Sequence, residues 1–169
     1  MARTVKRTDL IACLDVLKKS DLAQASWKLI GDGVTTLTYS YNPNTTSETY
    51  INQDNATTTL DSYAVSIDGE QKALFGDDVF DFIDELRTSL AVGDEAITNL
   101  LLIDKYNEVS TGNFKAQVFK CVVSVTSYGG DGGTTPTIGF TISANGNPTN
   151  GTATINNGEF TFTQEAVSL

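Results

Sequence analysis

The chain has 169 residues, enough for one ordinary domain with a real core, and 40% of them are hydrophobic. It carries a net charge of -10 and no histidine. These totals exclude Ser-His-Asp and Cys-His catalysis and the usual zinc sites, and they argue against binding to nucleic acid or to anionic membranes, where Lys and Arg supply the affinity. Thr, Ser, Asn and Gly are plentiful, which favours strands joined by turns and hence a mainly β protein. No N-terminal apolar core of a signal peptide is visible and no apolar run is long enough to span a bilayer. A protein made and kept in a cytoplasm, with no membrane anchor, is expected.

Met1 to Lys28 holds six basic residues (Arg3, Lys6, Arg7, Lys18, Lys19, Lys28) against three acids, while the remainder is strongly acidic. A mildly basic arm on an acidic body suits contact between copies. The run Asp9–Leu17 is too dense in apolar residues for its period to separate strand from helix. Cys13 lies within it, far from Cys121 and without a CxxC partner. Buried free thiols are therefore expected. Trp27–Ile30 reads as a short strand, followed by the turn Gly31-Asp32-Gly33. Leu37, Tyr39 and Tyr41 alternate with Thr38 and Ser40 as a half-buried strand does. A long polar passage, about 42–59, follows. A second strand then alternates through Tyr63, Val65 and Ile67 and is expected to end at Asp68-Gly69.

Asp77 and Asp78 open an amphipathic helix over about 77–90, with Val79, Ile83, Leu86 and Leu90 on one face and Gly93 placed to end it. Leu100–Ile103 is apolar on both faces and reads as a central strand. Phe114–Thr126 reads as a long strand whose apolar parity changes, predicting a bulge near Val118. Ile138, Phe140 and Ile142 mark another strand. Ala153–Phe162 reads as a hairpin turning at Asn156-Asn157-Gly158. Tyr128–Pro136 and Ala144–Gly151 are glycine-rich loops. There is no internal repeat and no evident domain boundary.

The one dense carboxylate group is Asp77, Asp78, Asp81, Asp84 and Glu85; Asp77, Asp81 and Asp84 lack histidine, lysine or substrate-binding partners nearby, and the group fits dipole-matched acids on a wet helix face better than an acid/base pair or a metal site. Gly129–Gly133 lacks both the Lys-[ST] of a phosphate loop and the spaced acids of a calcium loop. Tyr39, Tyr41, Tyr50 and Tyr63 could line a sugar-binding face, although alternating tyrosines more often belong to core or interface. No catalytic residue, metal ligand or cofactor is indicated.

The stretch WKLIGDGVTTLTYSYNPNTTSETYINQDNATTTLDSYAVSIDG (Trp27–Gly69), with the acidic DDVFDFIDELR helix after it, resembles the major tail protein, or tail tube protein, of long-tailed bacteriophages with non-contractile tails. SYNPNTTSETYIN and the short helix carry most of the likeness, and Leu17–Ser26 has no counterpart in it. The resemblance implies a β-sandwich or barrel-like tail tube fold with one flanking helix. It also implies a single domain over 1–169 with an N-terminal arm (about 1–26) and a protruding loop (42–59). It further implies a virion protein assembled in the host cytoplasm: six copies closing into rings, and rings stacking into a channel through which DNA passes without specific binding. A tape measure protein and tail terminator or initiator proteins would be its other partners. The passage 42–59 would then be long because it docks on another copy. Candidate contacts between copies are Arg3, Lys6, Arg7, Tyr41, Asn42, Pro43, Thr45, Tyr50, Ile51 and Asn52. A carbohydrate-binding or adhesin-like β-sandwich is the alternative reading of the same composition.

Overall fold

A computed structural model describes residues 2–166. Among the described residues there are eleven strands and one α-helix: β1 (Leu10–Asp15), β2 (Trp27–Leu29), β3 (Val34–Ser40), β4 (Pro43–Glu48), β5 (Thr57–Tyr63), β6 (Ser66–Lys72), α1 (Asp78–Ser89), β7 (Ile97–Ser110), β8 (Asn113–Gly129), β9 (Thr137–Ala144), β10 (Thr149–Asn156) and β11 (Glu159–Gln164). The expected mainly β fold with one flanking helix is observed. Nine strands form one antiparallel sheet in the order β2-β1-β7-β8-β9-β6-β3, with β10 joining β8 and β11 joining β10. β4 and β5 form a separate pair.

The two ends of this sheet are neighbours in sequence. β2 and β3 are joined by residues 30–33 alone, so the sheet has to curl until its outer strands approach. Short backbone bonds hold the junction: Ile30 N–H to Ala12 C=O at 2.8 Å, Val34 N–H to Gly31 C=O at 3.0 Å and Lys72 N–H to Gly33 C=O at 3.0 Å. The result is a barrel-like half-shell.

Two apolar clusters fill the molecule, one on each face of the central strands. Leu100 and Leu102 of β7, Ala12 and Leu14 of β1, and Phe119, Cys121 and Val123 of β8 pack with α1 and with Ile138, Phe140 and Ile142 of β9. Cys13, Leu101, Ile103, Ala116 and Val118 pack on the other face with Trp27, Ala153 and Phe162. β7 is therefore buried on both faces, as its continuous apolar run predicts. The parity change along β8 has the same origin. Its N-terminal half faces the second cluster, its C-terminal half the first, and at Val118 and Phe119 both faces are covered. The expected bulge near Val118 is absent: pairing with β7 runs unbroken from Ile97↔Val122 to Asp104↔Lys115. The register shifts of β8 and its neighbours lie instead between Asp104 and Glu108 and between Glu108 and Ser110 of β7, and between Val125 and Ser127 of β8.

Three further expectations are revised. Asp68-Gly69 is not a turn but the middle of β6, paired with Phe140 and Thr141 of β9. Glycine stands there because an added Cβ would lie 2.6 Å from Phe140 Cζ and 2.8 Å from Leu37 Cδ1. α1 ends earlier than Gly93, at Leu90, which takes the left-handed conformation (φ 50, ψ 45) and leaves its side chain 80% exposed rather than on the buried face with Val79, Ile83 and Leu86. Gly93 opens a short 3-10 turn, Gly93–Ala96. Of the expected N-terminal arm, Leu10–Asp15 is an inner strand, so only Ala2–Lys6 precedes the first 3-10 turn, Arg7–Asp9.

The cap expected at the start of α1 is present, with the Asp77 side chain accepting from Phe80 N–H at 2.8 Å. The Asn156-Asn157-Gly158 turn closes the β10–β11 hairpin, with Asn157 and Gly158 at φ 50 and 81, the sign a two-residue hairpin turn requires. Cys13 and Cys121 are free and buried, as expected. Among the described residues no helix is long and apolar enough to cross a membrane.

Candidate functional site

The passage between β3 and β6 is not an unpaired loop. Pro43–Glu48 and Thr57–Tyr63 pair as a two-stranded ribbon with a register shift at Asn44/Thr45, and only residues 49–56 form the tip. Every residue of both strands is exposed. At about 3.3 Å per residue the six- and seven-residue arms each extend about 20 Å. Such an isolated pair is marginal by itself in water.

Its base is well braced. Asn42 adopts φ 42 and its side-chain amide donates to Ala64 C=O at 3.0 Å and to Ser66 Oγ at 3.2 Å. Ala64 N–H returns a bond to Tyr41 C=O at 3.1 Å. Tyr41 and Tyr63 meet edge to face with ring centroids 6.4 Å apart. Pro43 pairs with Tyr63 and Thr45 with Leu60. Further out, polar side chains knit the strands: Thr46 Oγ1 donates to Asp61 at 2.5 Å, and the Ser47 and Thr58 hydroxyls are 2.9 Å apart. At the tip, Tyr50 OH donates to Glu48 at 3.3 Å and Gln53 N–H to Tyr50 C=O at 2.9 Å, while Ile51 has no cover at all. Asn52 sits in the same exposed turn. The ribbon carries Glu48, Asp54 and Asp61 and no Lys or Arg. A groove of about 610 Å³ lies at its base, lined by Tyr41, Tyr63, Val65, Phe119 and Pro148.

The basic N-terminal residues divide into two kinds. Arg7 is committed inside the chain. It donates to Leu10 C=O at 2.7 Å and to Leu37 C=O at 3.4 Å, and its guanidinium lies 5.7 Å from the Tyr39 ring centroid. Burial pushes the Tyr39 hydroxyl up to about 12, with Arg7 opposing the shift in part. Arg3 and Lys6 stay exposed, with Arg3 3.8 Å from Asp9. The structure thus gathers Tyr41, Asn42, Pro43, Thr45, Tyr50, Ile51 and Asn52 on one projection and leaves Arg3 and Lys6 on a separate short arm.

The helix acids are spent locally. Asp77 caps α1 and also accepts from Gln71 Nε2 at 2.9 Å, Asp78 pairs with Lys28 at 2.9 Å, Asp81 accepts from Gly76 N–H at 3.1 Å, and Asp84 pairs with Arg87 at 2.7 Å. Among the described residues no group of three or more His, Cys, Asp or Glu is placed to hold a metal ion. Sequence reasoning passed over two features. Asp15 is fully buried and accepts from Leu17, Lys19 and Ser26 N–H and from Asn99 Nδ2. Phe75 and Val92, near the two ends of α1, are exposed, Phe75 almost fully. An acid inside an apolar strand is a legible signal of the first. The second leaves no signal in the sequence, since exposure of a lone apolar residue depends on how the chain turns.

No protein-family model matches the sequence, and no curated protein matches it significantly. Solved structures do match the fold. A chain in the tail of an empty gene transfer agent particle, refined helically with C6 symmetry, superposes with a TM-score of 0.58 at 14% identity, covering 86% of this chain and 97% of that one. The chain has the fold of a tail component. A chain in the virion of the native gene transfer agent particle superposes with a TM-score of 0.56, again at 14% identity, over 95% of this chain and 99% of its own length. The fold likeness thus covers most of this chain and nearly all of each matched chain.

Proposed function

We propose that this chain is a structural virion protein, the repeating subunit of a phage tail tube. Copies close into six-membered rings, and rings stack into a channel for DNA. The observation that carries this reading is the match of 86% of this chain to nearly the whole of a chain from a C6-symmetric tail. The projecting ribbon supports it. A flat polar ribbon with an uncovered Ile51 at its tip gains order and buries apolar surface only against a partner, and another copy is always at hand in an assembling tube.

Charge fits the role as well. Six copies of a -10 chain carry -60. An acidic lumen repels DNA phosphates, so a genome slides through it, whereas a basic lumen would hold the DNA fast. The subunit works in the virion tail after assembly in the host cytoplasm, around a tape measure protein and between initiator and terminator proteins.

Replacement of Ile51 by Asp at the ribbon tip tests the role of the projection. The body should fold unchanged, because Ile51 touches nothing in its own chain. Light scattering at rising protein concentration should show loss of the large assemblies formed by the unaltered chain. Assembly at the same concentration in both would remove the ribbon tip from the interface.

A further inference from the structure

The two ends of α1 carry an apolar projection and an apolar recess. At the N-terminal end Phe75 is 98% exposed, yet the turn that bears it is tightly held. Ala73 N–H donates to Pro136 C=O at 2.8 Å, Asp77 N–H to Leu74 C=O at 3.0 Å, and Gly76 N–H to Asp81 at 3.1 Å, with Gly76 at φ 94. The phenyl ring is thus a preorganised aromatic anchor, the kind of residue that dominates interfaces.

At the C-terminal end a recess of about 600 Å³ opens between α1 and β8, with Leu86, Val92, Val123 and Tyr128 among its walls. The Arg87 guanidinium stacks 4.3 Å from the Tyr128 ring centroid at its edge. Leu90 is a non-glycine residue held in left-handed conformation with its side chain 80% exposed, and Val92 is 78% exposed beside it. Backbone strain that holds apolar side chains out in water at the mouth of an apolar recess is a pointer to a binding role. Asp78 near the projecting ring and Arg87 at the recess are already paired within the chain, with Lys28 at 2.9 Å and with Asp84 at 2.7 Å, so the unpartnered groups at both features are apolar.

We propose that Phe75 of one copy seats in the Leu90–Val92 recess of the next, so that α1 helices follow one another head to tail around the assembly. Projection and recess are different surfaces of one molecule, so the contact is heterologous and repeats from copy to copy until it closes or extends. This rests on the reading that copies of the chain assemble, and it adds a contact remote from the β4–β5 ribbon.

Engineered cysteines test it, because Cys13 and Cys121 are buried and do not compete. Phe75→Cys chains and Val92→Cys chains are mixed, assembled, oxidised mildly and run on a non-reducing gel, with electron microscopy of the same samples. A dimer band from the mixture, none from either variant alone, and a ladder from the double variant are expected. Phe75→Ala should raise the concentration needed for assembly at least about tenfold, as loss of an interface anchor does, without moving the urea midpoint. Intact assemblies with no cross-link in the mixture would overturn the contact while leaving the tube reading in place. So would cross-linking of Phe75→Cys chains to each other, or of Ile51→Cys to Val92→Cys chains, which would put the ribbon tip in the recess. Absence of any assembly, unaltered chain included, would overturn both readings together.

Discussion

At the scale of single residues, Asp15 is the sharpest case. Its carboxylate is fully buried and accepts four hydrogen bonds at 2.7–3.2 Å, three of them from backbone N–H groups of the segment 17–26. Thr98 Oγ1 adds a bond to its carbonyl at 2.5 Å. This one side chain organises Leu17–Ser26, the segment that the sequence resemblance leaves unmatched. Asp15→Ala strands those donors and should lower stability by about 3 kcal/mol or more, read as a fall in the urea midpoint. An unchanged midpoint would mean that the segment is held by other contacts. Within the sequence, Asp15 stood out only as a polar residue in an apolar run. Its partners lie up to 84 positions away, and no local pattern reveals them.

The two cysteines give a second residue-scale expectation, in pH. Burial raises both thiols from an ordinary 9.0, Cys121 to about 12 and Cys13 further still, with a backbone hydrogen bond at Thr98 opposing part of the shift at Cys121. The unfolded chain therefore loses these protons first. The folded state is unaffected below pH 9 and loses stability as pH rises from 9 towards 12, with buried Tyr39 acting in the same direction. Both thiols should resist a disulfide reagent at pH 8 in the native protein and react in denaturant. A fast-reacting native thiol would contradict their burial.

At the scale of elements, what could be read from the sequence depended on whether the signal was local. β9 and the β10–β11 hairpin announce themselves by strict alternation and an Asn-Gly turn. α1 is announced by its acids and its apolar spacing. The ribbon β4–β5 was illegible as strands because neither face packs on the body, so it lacks the alternation that burial imposes. Gly69 misled because Asp-Gly is a turn pair, whereas here the glycine makes room for Phe140 and Leu37 across the sheet. Gly69→Ala should overpack that crossing and cost about 1–3 kcal/mol in a urea melt, without loss of strand signal in circular dichroism. Full stability in that variant would show that Phe140 can yield. The supposed bulge near Val118 has the same lesson in reverse: parity changed because the cover moves from one face of β8 to the other, which needs a second core that sequence cannot show.

At the scale of the whole molecule, the parts fit the proposed role of a subunit. A curled sheet fills its two cores, and it leaves a braced ribbon, a short basic arm and apolar features at both ends of its helix in solvent. The candidate contacts on the ribbon were legible as a polar passage too long for a simple connection. Their common presentation on one projection was not, since it depends on Asn42 and the Tyr41–Tyr63 pair holding the base. The measurement that bears most directly on the account is negative-stain electron microscopy of the purified chain at rising concentration, with six-fold averaging of end-on views. Hollow tubes or rings with six-fold symmetry are the predicted result. A strict monomer at every concentration, or closed dimers without a central channel, would contradict it.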